Sequence, residues 1–340
     1  MRIRALIIRI GRQFLRDRRT LALMMAAPLL ILWLVALIFN GSTYEPKLGA
    51  IDLPQSFATR LADQGAVVQD YATSGAAVSA LKSRKIDATI QLDGRVPHLL
   101  LEGSNPSKST AVIFLLQKAL QPPGVKRQAP VIHYLYGSAG MTSFDNFGPV
   151  LIGVFAFFFV FIIAGIAFLK ERTSGTLERL MATPLRRWEI VVGYIVGFGI
   201  FTTIQACIIA WFSVNVLGMM MKGEFLYLLL VTLLLSLTAL TLGTFLSAFA
   251  NTEFQMMQFV PIVILPQVFF SGLFSTSTMA PWLRGVSRIM PLYYGADALR
   301  NVMIRGQGFS DIYPDLSILL GLSVLFMAAN VLALRKYRRI

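Results

Sequence analysis

The sequence predicts a polytopic α-helical membrane protein with six transmembrane helices and both termini cytoplasmic. A small α/β extracytoplasmic domain is inserted between the first and second spans. Three observations carry this. The 340-residue chain is 56% apolar and 14% charged, with mean hydropathy +0.66, far from a soluble average. Six runs reach the roughly 20 mostly apolar residues that a span needs: Leu21–Phe39, Phe147–Leu169, Ile190–Val216, Phe225–Ala250, Phe254–Phe274 and Leu316–Leu334, none with an acidic or basic side chain. Lys and Arg gather beside alternate span ends, which sets the orientation.

The first 19 residues hold seven arginines (Arg2, Arg4, Arg9, Arg12, Arg16, Arg18, Arg19) against one acid, Asp17. Ile3, Leu6, Ile7, Ile10 and Phe14 recur there at helical spacing with arginines on the other face. Residues 1–20 are therefore expected to form a cytoplasmic amphipathic helix in the membrane interface. The first span, 21–40, is too long for the apolar core of a signal peptide, and no A-x-A site follows it; it is expected to remain as an anchor.

Residues 41–146 read as a domain. Leu48–Asp52, Val67–Tyr71, Ala88–Leu92 and His98–Glu102 have strand character, and Gln55–Gln64, Gly75–Arg84 and Ser107–Leu120 have helix character. Strands alternating with helices predict a small α/β fold. Its charges nearly balance, ten basic against eight acidic, so it is not a trap for polyanions.

Residues 147–340 are expected to form a five-helix transmembrane domain. Between its first two spans lies a polar island, Lys170–Glu189, too long and too amphipathic for a tight turn. Further on, 275–313 contains Pro281, Trp282, Pro291 and Tyr293. It holds too few apolar residues to span, and its aromatics favour the headgroup level; external half-inserted helices are expected, with protein covering their backbone. The tail adds Arg335, Lys336, Arg338 and Arg339. With six spans, the N-terminus, the island and the tail all face the cytoplasm.

The formal net charge of +14 does not point to nucleic acid, because the excess sits on the cytoplasmic flanks, where it meets anionic membrane lipids. The single Cys207 lies in a span and excludes disulfides. Intramembrane charges mark proton relays and ion paths; here the spans offer only neutral groups such as Gln205, Asn215, Gln258, Gln267 and Asn330, read as interhelical hydrogen-bonding residues. An ion-coupled carrier finds no site. Nor does catalysis: His98 and His133 have no metal-ligand spacing. Gly103–Thr110 superficially resembles a phosphate loop, but Ser107 stands where a glycine must precede the lysine. No nucleotide site, metal site or cofactor is expected in this chain.

The island therefore carries the argument. Thr176 follows Gly175 and is expected to cap a helix, with Arg179 three residues on instead of the acid of a full capping box. Leu177, Leu180 and Met181 fall on one face, and Pro184 ends the turn. Glu171, then Gly175, Thr176, Leu177 and Glu178, then Thr183 and Pro184, then Glu189 follow in an order that resembles the permease (transmembrane) subunits of type-2 ATP-binding-cassette exporters. Ser271, Gly272, Met279 with Pro281, Pro291, Tyr293 and Arg300 match the later external signature of that family. Leu101–Pro106 and the large insert resemble its subgroup with an extracytoplasmic domain after the first span. Arg172 and Thr173 depart from the pattern, since many relatives carry a further acid there.

The resemblance implies a half-transporter of the cell inner membrane, paired with a second copy of itself or a related permease. Separate cytoplasmic ATPase subunits, which carry the ATP and Mg, would supply the energy. Glu171, Arg172, Glu178 and Arg179 would meet the ATPase groove, with Leu177 and Leu180 on its apolar floor; Gly175, Thr176, Leu177, Glu178, Arg179, Leu180, Thr183, Pro184 and Glu189 complete the coupling segment, 170–189. The path would run between the second and fifth spans, with Phe155, Phe158 and Phe159 on one and Pro261, Pro266 and Phe269 on the other. Such an aromatic, uncharged path suits an amphipathic drug, lipid or similar hydrophobic molecule, with a periplasmic adaptor as a further partner. An ATPase-independent secondary carrier or channel, or a membrane sensor with an external ligand-binding domain, are the alternative readings.

Overall fold

A computed structural model describes residues 2–39, 45–83, 85–93, 96–101, 106–120, 141–273 and 281–334. Two compact units emerge: Ser42–His133, and Met1–Gly41 together with Tyr134–Ile340. The chain begins with α1 (Arg2–Arg16) and α2 (Arg18–Phe39).

The inserted unit follows as β1 (Lys47–Ile51), α3 (Gln55–Asp63), β2 (Val67–Tyr71), α4 (Ser74–Lys82), β3 (Ala88–Asp93), β4 (Val96–Leu101) and α5 (Pro106–Ala119). The sheet order is β2-β1-β3-β4. Central β1 runs parallel to both neighbours, and β4 returns antiparallel on β3. Because β1 is covered, four of its five residues are buried. Leu48 and Ile90 meet Phe57 and Leu61 of α3 and Val112 and Leu115 of α5 in one core. Every expected strand and helix of the insert has a counterpart, with boundaries shifted by one or two residues.

The second unit is helical: α6 (Ser143–Thr173), α7 (Thr176–Met181), α8 (Arg187–Asn215), α9 (Phe225–Ser247), α10 (Glu253–Val268) running into a π-helical turn Phe269–Leu273, α11 (Pro281–Ser287), α12 (Pro291–Met303) and α13 (Phe309–Ala333). Among the described residues, six helices are long and apolar enough to cross a membrane: Arg18–Ile38, Phe144–Thr173, Arg187–Asn215, Phe225–Ser247, Glu253–Leu273 and Phe309–Ala333. The second starts earlier than its apolar run. A capping box starts it, with Asp145 N–H donating to Thr142 Oγ1 (3.1 Å) and Thr142 N–H to Asp145 Oδ2 (2.9 Å).

Helix α9 is the hub, packed by α6, α8, α12 and α13, with Leu228, Val231, Leu235, Ala239 and Leu240 fully buried. Neutral polar groups pin it to α13: Thr238 and Ser323 hydroxyls lie 2.8 Å apart, and Asn330 Nδ2 donates to Thr241 O at 2.9 Å. Gln267 Oε1 accepts from Leu292 N–H at 3.1 Å, tying α10 to α12. The expectation of interhelical bonding thus holds for Asn330 and Gln267. Asn215 instead donates to Trp211 O within its own helix, Gln258 is exposed, and Gln205 is buried with neither amide atom paired among the described residues.

Helix α1 differs from its expected setting. Its stripe of Leu6, Ile10 and Phe14 is buried against α8: Leu6 lies over Gly193 and Ile10 over Gly197, and Phe14 meets Phe198 and Phe201 at 5.3 and 4.8 Å. A protein groove, formed where two glycines leave α8 without side chains, occupies the face that periodicity assigned to lipid. Helix α12 is likewise inserted among helices, with Leu292, Ala296, Leu299 and Val302 buried against α6, α9 and α13. Residues 102–105, His133, Met279 and the basic tail from Arg335 onward lie outside the described residues.

Candidate functional site

The polar island is built from the ends of three helices. Helix α6 stops at Thr173, α7 covers six residues, and α8 begins at Arg187. The joint is Gly175, whose φ of +72° lies in the left-handed region that glycine enters without a Cβ penalty. Gly175, not Thr176, occupies the cap position, and Thr176 is the first helical residue. The Thr176 hydroxyl sits 3.0 Å from that of Ser174, so it braces the turn. Nothing crowds a Cβ built at Gly175. Gly175→Ala is therefore expected to lower stability by about 1 kcal/mol through backbone strain alone, read as a small drop in the thermal midpoint in detergent.

The island divides into a face that holds the fold and a face that is presented. Leu177 is 1% exposed and Leu180 half-buried, both packed on the main core with Phe168 and Ile190. Neither faces outward to fill a partner's apolar floor; the stripe that reads as a docking surface is the one that seats α7 on its own bundle. Thr183 Oγ1 donates to Leu180 O at 2.6 Å, closing the helix before Pro184. Glu189 serves α8, its carboxylate accepting from Arg186 N–H at 2.6 Å. Glu178, Arg179, Thr183 and Pro184 are exposed.

Glu171 and Arg172, the charges that follow Lys170, point inward. Glu171 is 3% exposed. Its Oε2 accepts from Arg9 Nη2 of α1 at 2.5 Å and from the Tyr194 hydroxyl of α8 at 2.9 Å. An edge-on contact with Phe168, 5.1 Å between centroids, holds the Tyr194 ring. Burial disfavours the Arg9 charge, but Glu171 and Tyr194 more than offset it, so the guanidinium is held above its ordinary range. A buried carboxylate is tolerated when paired and hydrogen-bonded, and here the pairing joins α1, α6 and α8 at one oxygen. Arg172 Nη1 donates to Ser247 O (3.0 Å) and Ala248 O (2.7 Å), satisfying carbonyls that the end of α9 leaves without intrahelical partners. Glu171 and Arg172 are thus structural ties, in place of the ATPase contacts expected of them. Sequence reasoning missed Arg9 and Tyr194; the one signal for Arg9 was its place beside the apolar stripe of α1.

The expected path residues do not converge within one chain. Phe155 packs in the core cluster around Leu32 and Ile152, and Phe158 in the cluster around Phe157 and Phe161. Phe159 stands edge-on to Phe158 at 5.0 Å. Pro266 is half-buried, whereas Pro261 on α10 and Phe269 at the start of the π-helical turn are exposed. Phe254, Met257, Ile262 and Leu265 of α10 are exposed as well.

Of the later signature, Gly272 and Arg300 do meet: Arg300 Nη2 donates to Gly272 O at 2.6 Å. Gly272 has φ +82°, and a Cβ there would stand 2.5 Å from Arg300 Nη1. Ser271 is buried and donates to Val268 O at 2.7 Å. Pro291 is the first residue of α12. Tyr293 is half-buried and stands at right angles to Tyr294, and Pro281 is exposed at the start of α11.

The chain is 23% identical over 215 residues to "ABC transporter G family member 20" of Dictyostelium discoideum, covering 62% of this chain and 29% of that protein. It is 24% identical over 169 residues to "Probable multidrug ABC transporter permease YbhR" of Escherichia coli, 49% of this chain and 46% of that protein. It is 25% identical over 168 residues to "Linearmycin resistance permease protein LnrN" of Bacillus subtilis, 49% of this chain and 43% of that protein. The chain spans less than half the length of each of these relatives. The family model described as ABC-2 family transporter protein matches residues 18–332. That match takes in α2, the inserted domain, the island and every later helix, and the chain belongs to the ABC-2 transporter family.

Proposed function

We propose that this chain is the permease half of an ATP-driven exporter, driven through α7 by separate ATP-binding-cassette ATPase subunits. One observation carries the reading. A six-residue helix is seated by Leu177 on the ends of two candidate spans, and Glu178, Arg179, Thr183 and Pro184 remain exposed on its other side. A force on that face passes into α6 and α8 with little slack, because Gly175 and Pro184 bound a short rigid element. In this reading both termini and α7 are cytoplasmic, the inserted domain is external, and the ATP and Mg belong to the partner.

The exposed apolar residues of α10 and the π-helical turn, from Phe254 to Phe269, support pairing with a second copy or a close relative, with the cargo path between the halves. The names of two relatives, a multidrug permease and a linearmycin resistance permease, support an amphipathic drug, lipid or similar hydrophobic cargo moved outward. The test is reconstitution. Vesicles holding this chain and its ATPase are expected to move such a cargo in an ATP-dependent way, and neither component alone is. Transport by the chain alone would support a secondary carrier. ATPase-independent ligand binding with no transport would support a sensor.

A further inference from the structure

At the opposite end of α6 from α7, roughly 40 Å away at 1.5 Å per residue, the start of α6, the π-helical turn and the end of α12 border an open cavity of about 520 Å³. Asn146, Phe147, Gly272, Arg300, Ile304 and Arg305 line it. Two guanidinium groups therefore face one space. Arg300 is half-buried, and the bond to Gly272 O is its single hydrogen bond among the described residues, although a guanidinium carries five N–H donors. Its Nε is buried and unpaired.

No carboxylate comes within ion-pair distance of Arg300 among the described residues. Burial lowers its pKa, Asp297 one turn back acts against this, and Arg305 adds repulsion. A desolvated cation without a close counter-charge is costly, and Arg300 and Arg305 bring two guanidinium groups to one cavity. Arg305 is oriented by its Nη1 donating to Asn301 Oδ1 at 2.5 Å. A basic residue near a helix C-terminus is favoured by the dipole, which accounts for Arg305. It does not account for the unpaired Nε of Arg300, nor for a cavity in which both groups meet.

We propose that Arg300, Arg305 and Asn146 form an anion site that takes the phosphate of an amphiphile, with Phe147 and Ile304 flanking the start of its tail. Guanidinium forks match phosphate oxygens, Asn146 adds an amide donor, and the apolar walls leave more room than a bare ion needs. The site stands apart from the export reading, because binding is measured on this chain without an ATPase.

The test uses the full chain purified in an uncharged detergent and follows thermal unfolding as phosphatidylglycerol, phosphatidylcholine or inorganic phosphate is titrated. Phosphatidylglycerol is expected to raise the midpoint saturably and more than phosphatidylcholine, whose choline is repelled by the arginines. A matching response to inorganic phosphate would make the ligand a free anion; a response to phosphatidylglycerol alone would make it a headgroup held also by its tail. Arg300→Gln removes the group but also loosens Gly272. Asn146→Asp supplies the second variant: the position is exposed, and an acid in the first turn of α6 suits the helix. Its midpoint without ligand should hold or rise, because the new carboxylate faces the two arginines, and its apparent affinity should fall by about tenfold or more. No wild-type response to phosphatidylglycerol or inorganic phosphate, or a response that persists unchanged in Asn146→Asp and Arg305→Gln, would overturn the site.

Discussion

Glu178→Lys is expected to weaken ATPase association by at least about tenfold and to remove ATP-driven transport, with no change in the thermal midpoint. The expectation follows from where the side chain lies. Glu178 is exposed on α7, and its carboxylate has no hydrogen bond or ion pair among the described residues. An exposed substitution of this kind shifts stability by no more than about 0.5 kcal/mol. Across a docked interface the same change puts like charge where complementary charge is required, and such juxtapositions cost several kcal/mol; about 1.4 kcal/mol already amounts to tenfold. A binding titration between the purified chain and its ATPase reads the effect directly, and ATP hydrolysis stimulated by the permease reads its consequence. Unaltered association at an unaltered midpoint would show that this face of α7 is not where the ATPase docks. Arg179→Glu is a useful companion, because its only described side-chain partner is Thr176 Oγ1 at 3.5 Å. If both reversals weaken binding, the two faces meet through more than one charge pair.

The architecture was legible because its signals are local. An apolar run of 20 or more residues names a span whatever surrounds it, and the alternation in the insert places β1 to β4 within a residue or two. The site was legible only in outline. Pro184 follows the end of α7 as expected, since proline after a helix is a backbone fact, whereas the cap falls on Gly175, one residue before the expected Thr176. Glu171 was not legible. A carboxylate in a polar segment reads as solvated, and nothing near it in sequence announces that Arg9, 162 positions earlier, and Tyr194, 23 positions later, close on it. Arg9 was one of seven N-terminal arginines, and Tyr194 was one aromatic inside an apolar run. The leucine stripe of α7 misled for a related reason: periodicity identifies the buried face of a helix but not the body that buries it.

The second large effect is expected at that buried pair. Glu171→Ala should lower stability by about 2–4 kcal/mol, because it leaves Arg9 unpaired and the Tyr194 hydroxyl buried without its acceptor. Arg9→Ala should cost less, about 1–2 kcal/mol: its side chain is 36% exposed against 4% for Glu171, and the remaining carboxylate keeps the Tyr194 bond. A double-mutant cycle over the two sites, followed by thermal or denaturant unfolding in detergent, should give a favourable coupling energy. The informative variant is the double replacement Arg9→Met with Glu171→Met. Removing both charges for apolar groups of similar reach often restores much of the stability lost in either single change. Its midpoint should therefore rise well above that of Glu171→Ala and stay below the parent's only by the Tyr194 hydroxyl, which still lacks its acceptor. Transport separates two roles that stability cannot. If the pair merely seats α1 on the bundle, the double variant transports normally. If motion at α7 must reach α1 and α8 together, the shared Oε2 is the only described side-chain tie joining α1, α6 and α8 at one atom, and transport stays low in a well-folded protein. The expected result is the second, because Glu171 stands in the last turn of α6, two residues before that helix ends and the chain turns into α7.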